Sequence, residues 1–124
     1  MTPTDAQRAA ATVRRFLARS NADVRHRTAV RGAHLKALVP ALAAHLRAVG
    51  ATQVWVFGSL VWGGLHPDSD LDLAVLGLPP GGLIDAYEAL WRIAGEPVDL
   101  VLLETCVPEL RERIFAAAEE VAPA

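Results

Sequence analysis

Gln53-Val54-Trp55-Val56-Phe57-Gly58-Ser59, ten further residues, then Asp70-Leu71-Asp72-Leu73-Ala74-Val75-Leu76: the fold of this chain is decided in these two runs. Gln53 to Phe57 is a short β-branched and aromatic segment, which predicts a strand. Gly58-Ser59 sets a turn directly behind it, and Leu60 to Trp62 is placed to form the first turn of a short helix. Leu71 to Leu76 alternates acid with aliphatic before becoming wholly apolar, as a half-buried strand does on entering a core. Asp70 and Asp72 stand two apart, so on a strand they share one face while Leu71 and Leu73 share the other.

On the C-terminal side, Pro79-Pro80-Gly81-Gly82 reads as a turn cluster. Leu83, Ile84, Tyr87, Leu90, Trp91 and Ala94 recur at helical spacing and predict an amphipathic helix ending at Gly95. Pro97 to Leu103 reads as a third strand, central in character, and Pro108 opens a last helix with Leu110, Ile114 and Ala118 on its buried stripe. On the N-terminal side the first 50 residues are rich in Ala, Leu and Arg and predict helix. Ala6, Ala9, Val13, Phe16 and Leu17 form one stripe. Ser20-Asn21-Ala22-Asp23 looks like a break, after which a second helix runs from about Thr28 to Val49. Pro40 is expected to kink that helix or to open its second half, and Gly50 to cap it. Strands alternating with helices predict an α/β fold: a small mixed β-sheet with flanking helices, preceded by N-terminal helices.

At 124 residues the chain is expected to form one domain, residues 1–124, with a helical part over 1–50 and a catalytic core over 51–124. With 52% hydrophobic and 21% charged residues it is globular rather than disordered, and apolar enough to suggest a partner surface, in an oligomer or on another protein. No apolar run approaches the ~20 residues of a membrane span. The start, Met1-Thr2-Pro3-Thr4-Asp5, shows no signal peptide, so a cytoplasmic location is expected. Cys106 is alone, which excludes an internal disulfide and a multi-cysteine zinc site.

The net charge of −2 conceals an asymmetry. Residues 1–50 carry eight Arg and Lys36 against Asp5 and Asp23, or +7, whereas residues 51–124 carry three Arg against twelve acids, or −9. Nucleic-acid contact, solvated arginines on two basic helices, and a docking face for an acidic partner all fit this pattern, with nucleic acid the least favoured.

Two carboxylates on one strand face repel by roughly 1 kcal/mol or more at protein-like dielectric, and a divalent cation reverses that sign. Their hard oxygens suit magnesium together with substrate phosphates. Taken alone, Asp70 and Asp72 read more plainly as solvated edge-strand acids than as metal ligands. Gly58 permits phosphate oxygens to approach the backbone, and the Ser59 hydroxyl adds a donor beside the amides of a helix start. Asp99 lies in Glu96-Pro97-Val98-Asp99-Leu100-Val101, where a charge among strand residues is costly unless paired or metal-bound. If its strand lies beside the Asp70–Asp72 strand, three carboxylates meet on one edge, a set able to hold two metal ions. Asp99 could equally be a strand-end acid bonded to a backbone amide.

Other templates fail. Asp68-x-Asp70-x-Asp72 begins like an EF-hand loop, but Leu73 and Pro79 stand at the required glycine and glutamate. Gly58-Ser59 lacks the Lys-Ser/Thr of a P-loop, and Ser59 lacks the hydrolase elbow. His66 is near enough in sequence to touch a nucleotide, although a solvent-facing loop histidine is the plainer reading. His26, His34 and His45 are too scattered for a metal motif.

Gly58-Ser59, ten residues and Asp70-x-Asp72, followed by Pro97-Val-Asp-Leu100 and Pro108-Glu-Leu-Arg-Glu-Arg-Ile114, resemble the polymerase β-like nucleotidyltransferase superfamily. The similarity covers roughly residues 50–121 and is to its minimal, stand-alone members. The resemblance implies that Asp70 and Asp72 bind two Mg2+ ions, that Asp99 is the third carboxylate, and that Gly58 and Ser59 hold the triphosphate of ATP. It also implies a function: transfer of AMP from ATP to a protein hydroxyl, in many minimal members a tyrosine of a HEPN-domain toxin for which they are the antitoxin. One departure stands out. Leu60, Val61 and Trp62 occupy a span where such proteins often carry small residues and an arginine. That substitution motivates a second expectation, a non-catalytic antitoxin that neutralises its partner by direct binding. Trp62 is expected to bury beneath the turn rather than to pack on a base.

Overall fold

The computed structural model describes residues 2–123, so Met1 and Ala124, the two ends of the expected domain, lie outside it. Four strands form one mixed sheet: β1 (Gln53–Phe57), β2 (Leu71–Leu76), β3 (Val98–Leu102) and β4 (Glu119–Glu120), in the order β3-β2-β1-β4. β1 is antiparallel to both β2 and β4, and β2 is parallel to β3. The parallel pair needs a crossover, supplied by α3 (Leu83–Ala94), which ends at Gly95 in the left-handed conformation. The remaining helices are α1 (Asp5–Ala48), α2 (Ser59–Trp62) and α4 (Pro108–Ala117). This is the expected mixed sheet with flanking helices.

Side-chain alternation gives the sheet two unlike faces. Leu71, Leu73 and Val75 pack with Leu35, Leu42 and Leu46 of α1 and Leu90 of α3. On the opposite face Trp55, Phe57 and Ala74 pack with Leu103 and Ile114 of α4. Asp72 lies between Leu71 and Leu73, so it belongs to this second face.

Three expectations need correction, and a fourth is narrowed. The break at Ser20–Asp23 does not occur, and one 44-residue helix replaces two. Each poor helix former there costs a few tenths of a kcal/mol, less than ending and renucleating a helix. Asp23 also pairs with Arg27 one turn on, at 3.1 Å. Of the two outcomes expected at Pro40, the opening of a second helix does not occur: Pro40 sits inside α1, forfeiting its own amide bond. The cap is Val49, and Gly50 follows it at φ 120°, its Cα facing Pro79 so closely that a Cβ would lie 3.0 Å from Pro79 Cδ. Finally, β3 is an edge strand rather than a central one. Its free edge is covered by α3: Tyr87 Oη donates to the Leu100 carbonyl at 2.8 Å and accepts from the Leu100 amide at 3.1 Å. Trp91 Nε1 donates to the Val98 carbonyl at 3.0 Å. Edge polar groups that would template another strand are thereby occupied.

β4 was not foreseen. It covers the far edge of β1, and Arg47 of α1 bonds the carbonyls of Val121 and Ala122 just beyond it. The stripe Ala6 to Leu17 points to solvent rather than to a core. Among the described residues, no helix is long and apolar enough to cross a membrane.

Candidate active site

β1 ends at Phe57, and Gly58 turns the chain at φ 75°, ψ −153°, a region essentially restricted to glycine. The carbonyl of Gly58 accepts from the amides of Val61 at 3.1 Å and Trp62 at 2.8 Å, closing the single turn of α2. The first amides of that turn have no partner inside it and are directed N-terminally. Opposite this turn stands Asp72, the cross-strand partner of Phe57. A Cβ at position 58 would lie 2.0 Å from Asp72 Oδ2, so the carboxylate rests against bare backbone.

Asp72 and Asp99 are in register across the parallel β2–β3 pair, which places both on one face of the sheet. Burial pushes the Asp72 carboxyl up to about 6, with Asp99, by charge and hydrogen bond, and then Asp70 adding to the effect. Asp99 and Asp70 are exposed. Asp70, just ahead of β2, turns partly toward Arg31, with Oδ1 3.9 Å from Nη2. The structure therefore brings Asp72 and Asp99 together, seats Asp72 against Gly58, and leaves Asp70 shared with an arginine. Among the described residues no three acidic, histidine or cysteine side chains are already gathered at metal-ligating spacing. The donor chemistry nonetheless fits magnesium: carboxylate oxygens only, one of them already starved of positive charge.

The loop between the two motifs is held by its own polar groups. Ser69 is buried; its Oγ accepts from the His66 amide at 2.9 Å, and its amide donates to the His66 carbonyl at 3.0 Å. His66 itself is exposed, and its Nδ1 accepts from the Asp68 amide at 3.2 Å.

Two arginines of this region escaped the sequence reading. Arg31 of α1 donates from Nε to the Ser69 carbonyl at 2.8 Å and grips Glu96 with both terminal nitrogens. His34 Nε2 meets the same carboxylate at 2.9 Å. The Arg31 guanidinium holds the Glu96 carboxyl below its ordinary range, and Glu96 holds the guanidinium above its own. This clamp fastens α1 to the residue before Asp70 and to the loop before β3. No local pattern announces it, since Arg31 and Glu96 are 65 residues apart.

The second is Arg113 of α4. Its guanidinium lies 3.8 Å from the centroid of the Trp62 ring, which also packs on Phe57 at 5.5 Å and donates from Nε1 to the Ala117 carbonyl at 3.0 Å. Trp62 is thus half-buried between the turn and α4. A positive charge from α4 thus covers Trp62, in the span Leu60–Trp62 that itself carries none.

Residues 46–122 match the family described as polymerase beta, nucleotidyltransferase. The chain belongs to that family. A solved structure assigned as a minimal nucleotidyltransferase is 34% identical, with a TM-score of 0.58, covering 73% of this chain and 92% of its own. A toxin–antitoxin structure with AMP-PNP is 24% identical at a TM-score of 0.56, covering 66% of this chain and 70% of its own. A structure of a tri-AMPylated Shewanella oneidensis HEPN toxin with its MNT antitoxin is 20% identical at a TM-score of 0.56, covering 73% of each chain. The last two likenesses are of fold. No curated protein matches the chain.

Proposed function

We propose that this protein is a magnesium-dependent nucleotidyltransferase, one catalytic unit over residues 1–124, that moves AMP from ATP to a hydroxyl of a protein partner in the cytoplasm. The observation that carries the reading is the seating of Asp72 against Gly58 with Asp99 alongside it. Asp70 and Asp72, with Asp99 as the third carboxylate, would hold the metal. Bound magnesium supplies the charge that offsets the triphosphate and steadies the leaving pyrophosphate. Gly58 lets the phosphates reach the backbone, and Ser59 with the first amides of α2 binds their oxygens. The acceptor oxygen attacks the α-phosphorus, the bond from that phosphorus to the bridging oxygen breaks, and pyrophosphate departs. The hydroxyl proton passes to a carboxylate, for which Asp99, the more exposed of the pair, is the accessible base.

The acceptor we propose is a tyrosine of a HEPN-domain toxin, supported by two neighbours of the same fold: a toxin–antitoxin structure with AMP-PNP, and a tri-AMPylated HEPN toxin in complex with its MNT antitoxin. Incubation with α-labelled ATP, magnesium and that partner should label the partner, and Asp72→Ala should abolish the label. Equal labelling by the variant overturns the reading.

A second reading has its own observation. Trp62 is fixed by Phe57, Ala117 and Arg113 at the place where a phosphate-binding arginine is missing. The protein would then neutralise its partner by covering it. In that case Asp70→Asn with Asp72→Asn neutralises as well as the unaltered chain; loss of neutralisation with the complex intact rejects it.

A further inference from the structure

The N-terminal part of α1 is a helix without a core. From residue 2 to residue 30 only Ala11 and Thr28 are even half-buried, and the firm hold on the body begins at Arg31 and Gly32. Twenty-six helical residues, 5–30, extend roughly 39 Å at 1.5 Å per residue. A helix of this kind gains most of its stability in proteins from packing an amphipathic face. Such a face exists here: Val13, Phe16, Leu17 and Val24 lie on one stripe and are 56%, 69%, 52% and 39% exposed. Residues 5–30 carry six arginines against Asp5 and Asp23, a net +4. Among the described residues Arg14, Arg15, Arg19 and Arg25 have no carboxylate within ion-pair distance, whereas Arg8 and Arg27 do.

A complementary surface lies on α3. Ile84 and Trp91 are 70% and 48% exposed and share a stripe with Tyr87, three and seven residues along the helix. Exposed Asp85 and Glu88 flank it, and neither has a basic partner among the described residues. Both aromatic rings are already fixed by their hydrogen bonds to β3, so little side-chain freedom is left to lose on docking. Rigid aromatics of this type dominate binding energy at interfaces. The arm is continuous with the segment of α1 that packs on α3 and leads away from its own body, so it does not reach its own stripe.

We propose that the α1 arm of one copy docks on the α3 stripe of a second copy, and the reverse, in a two-fold dimer. Apolar stripe meets apolar stripe, and the arginine rim meets Asp85 and Glu88 beside the α3 stripe. Arm against arm would instead bring two +4 helices together, which like charge opposes. A reciprocal contact is used twice, the usual economy of a two-fold interface. The main packing of α1 and α3 is on the sheet face opposite Asp72.

Sedimentation equilibrium of the full chain tests this. The expected result is a dimer at micromolar concentration whose dissociation constant rises with salt. Ile84→Arg on one surface and Phe16→Glu on the other should each weaken it at least tenfold while the circular-dichroism spectrum stays helical. Arg15→Glu and Glu88→Arg should each weaken it alone, and together restore part of the loss. A monomer at every concentration overturns the proposal, and so does mass gained only with a separate protein or a nucleic acid. A dimer indifferent to Ile84→Arg but lost with Phe16→Glu also overturns it, because the arms would then be pairing with each other.

Discussion

Oδ2 of Asp72 occupies the space where any side chain at position 58 would begin: a Cβ on Gly58 would lie 2.0 Å from it and 2.8 Å from Asp72 Cγ. Glycine is required there twice over, by this contact and by the backbone angles of the turn. Gly58→Ala is therefore expected to lower stability by about 1–3 kcal/mol from backbone strain alone, with a further loss from the clash. Thermal unfolding of Gly58→Ala, Asp72→Ala and the double variant checks this. The double variant should lose less than the sum of the singles, since removing the carboxylate removes the clash; strict additivity would contradict the contact.

The Asp72 carboxyl, raised from 3.8 to about 6, makes stability fall as pH rises. Between those values the native protein keeps a proton that the unfolded chain has released, so the native state is favoured at the acid end and the advantage is lost on passing through pH 6. Two units correspond to nearly 3 kcal/mol, and partial exposure reduces this to about 1–2 kcal/mol. Glu96 acts oppositely and lower: held below its ordinary value by Arg31, it contributes stability above pH ~4.5 that is lost on acidification. Urea midpoints in metal-free buffer from pH 4 to pH 7 should show the Asp72 slope, and Asp72→Asn should remove it.

Arg31→Ala should cost about 2 kcal/mol, because it strips Glu96 of a two-pronged partner and the Ser69 carbonyl of a donor. Arg31→Lys should recover less than half, since an ammonium cannot reproduce the fork. Chemical denaturation measures both. Equal stability of the lysine variant and the unaltered protein would show that charge alone suffices.

Trp62→Ala removes a ring held by Phe57, a hydrogen bond to Ala117 and the stacked Arg113. A half-buried tryptophan in such a setting is expected to be worth about 2 kcal/mol. Arg113→Ala should cost less, about 0.5–1 kcal/mol. If Arg113 also serves the triphosphate, it should raise the KM for ATP more than it lowers kcat, which steady-state kinetics separates from a purely structural part.

The elements nearest the site were legible because their signals are local. The bounds of β1, β2 and α3 follow from runs of strand formers, the acid–aliphatic alternation and the Gly95 stop. The neighbouring of Asp72 and Asp99 was anticipated as a consequence of adjacent strands, and the register bears that out. What escaped depends on long-range packing. The Arg31–Glu96 clamp joins distant segments, and β4 is two residues long with no period to detect. The edge position of β3 was hidden because Tyr87 and Trp91 shield it, so its residues look like those of an interior strand. The unbroken α1 shows the converse: a polar interruption yields when good helix formers flank it on both sides.

Intact-mass spectrometry of a co-purified toxin partner, before and after incubation with ATP and magnesium, tests the central claim most directly. The account requires the partner to gain whole AMP units on a tyrosine with the unaltered protein and none with Asp72→Ala, although both form the complex. An unchanged partner mass with a folded, complexed and nucleotide-saturated protein would contradict it.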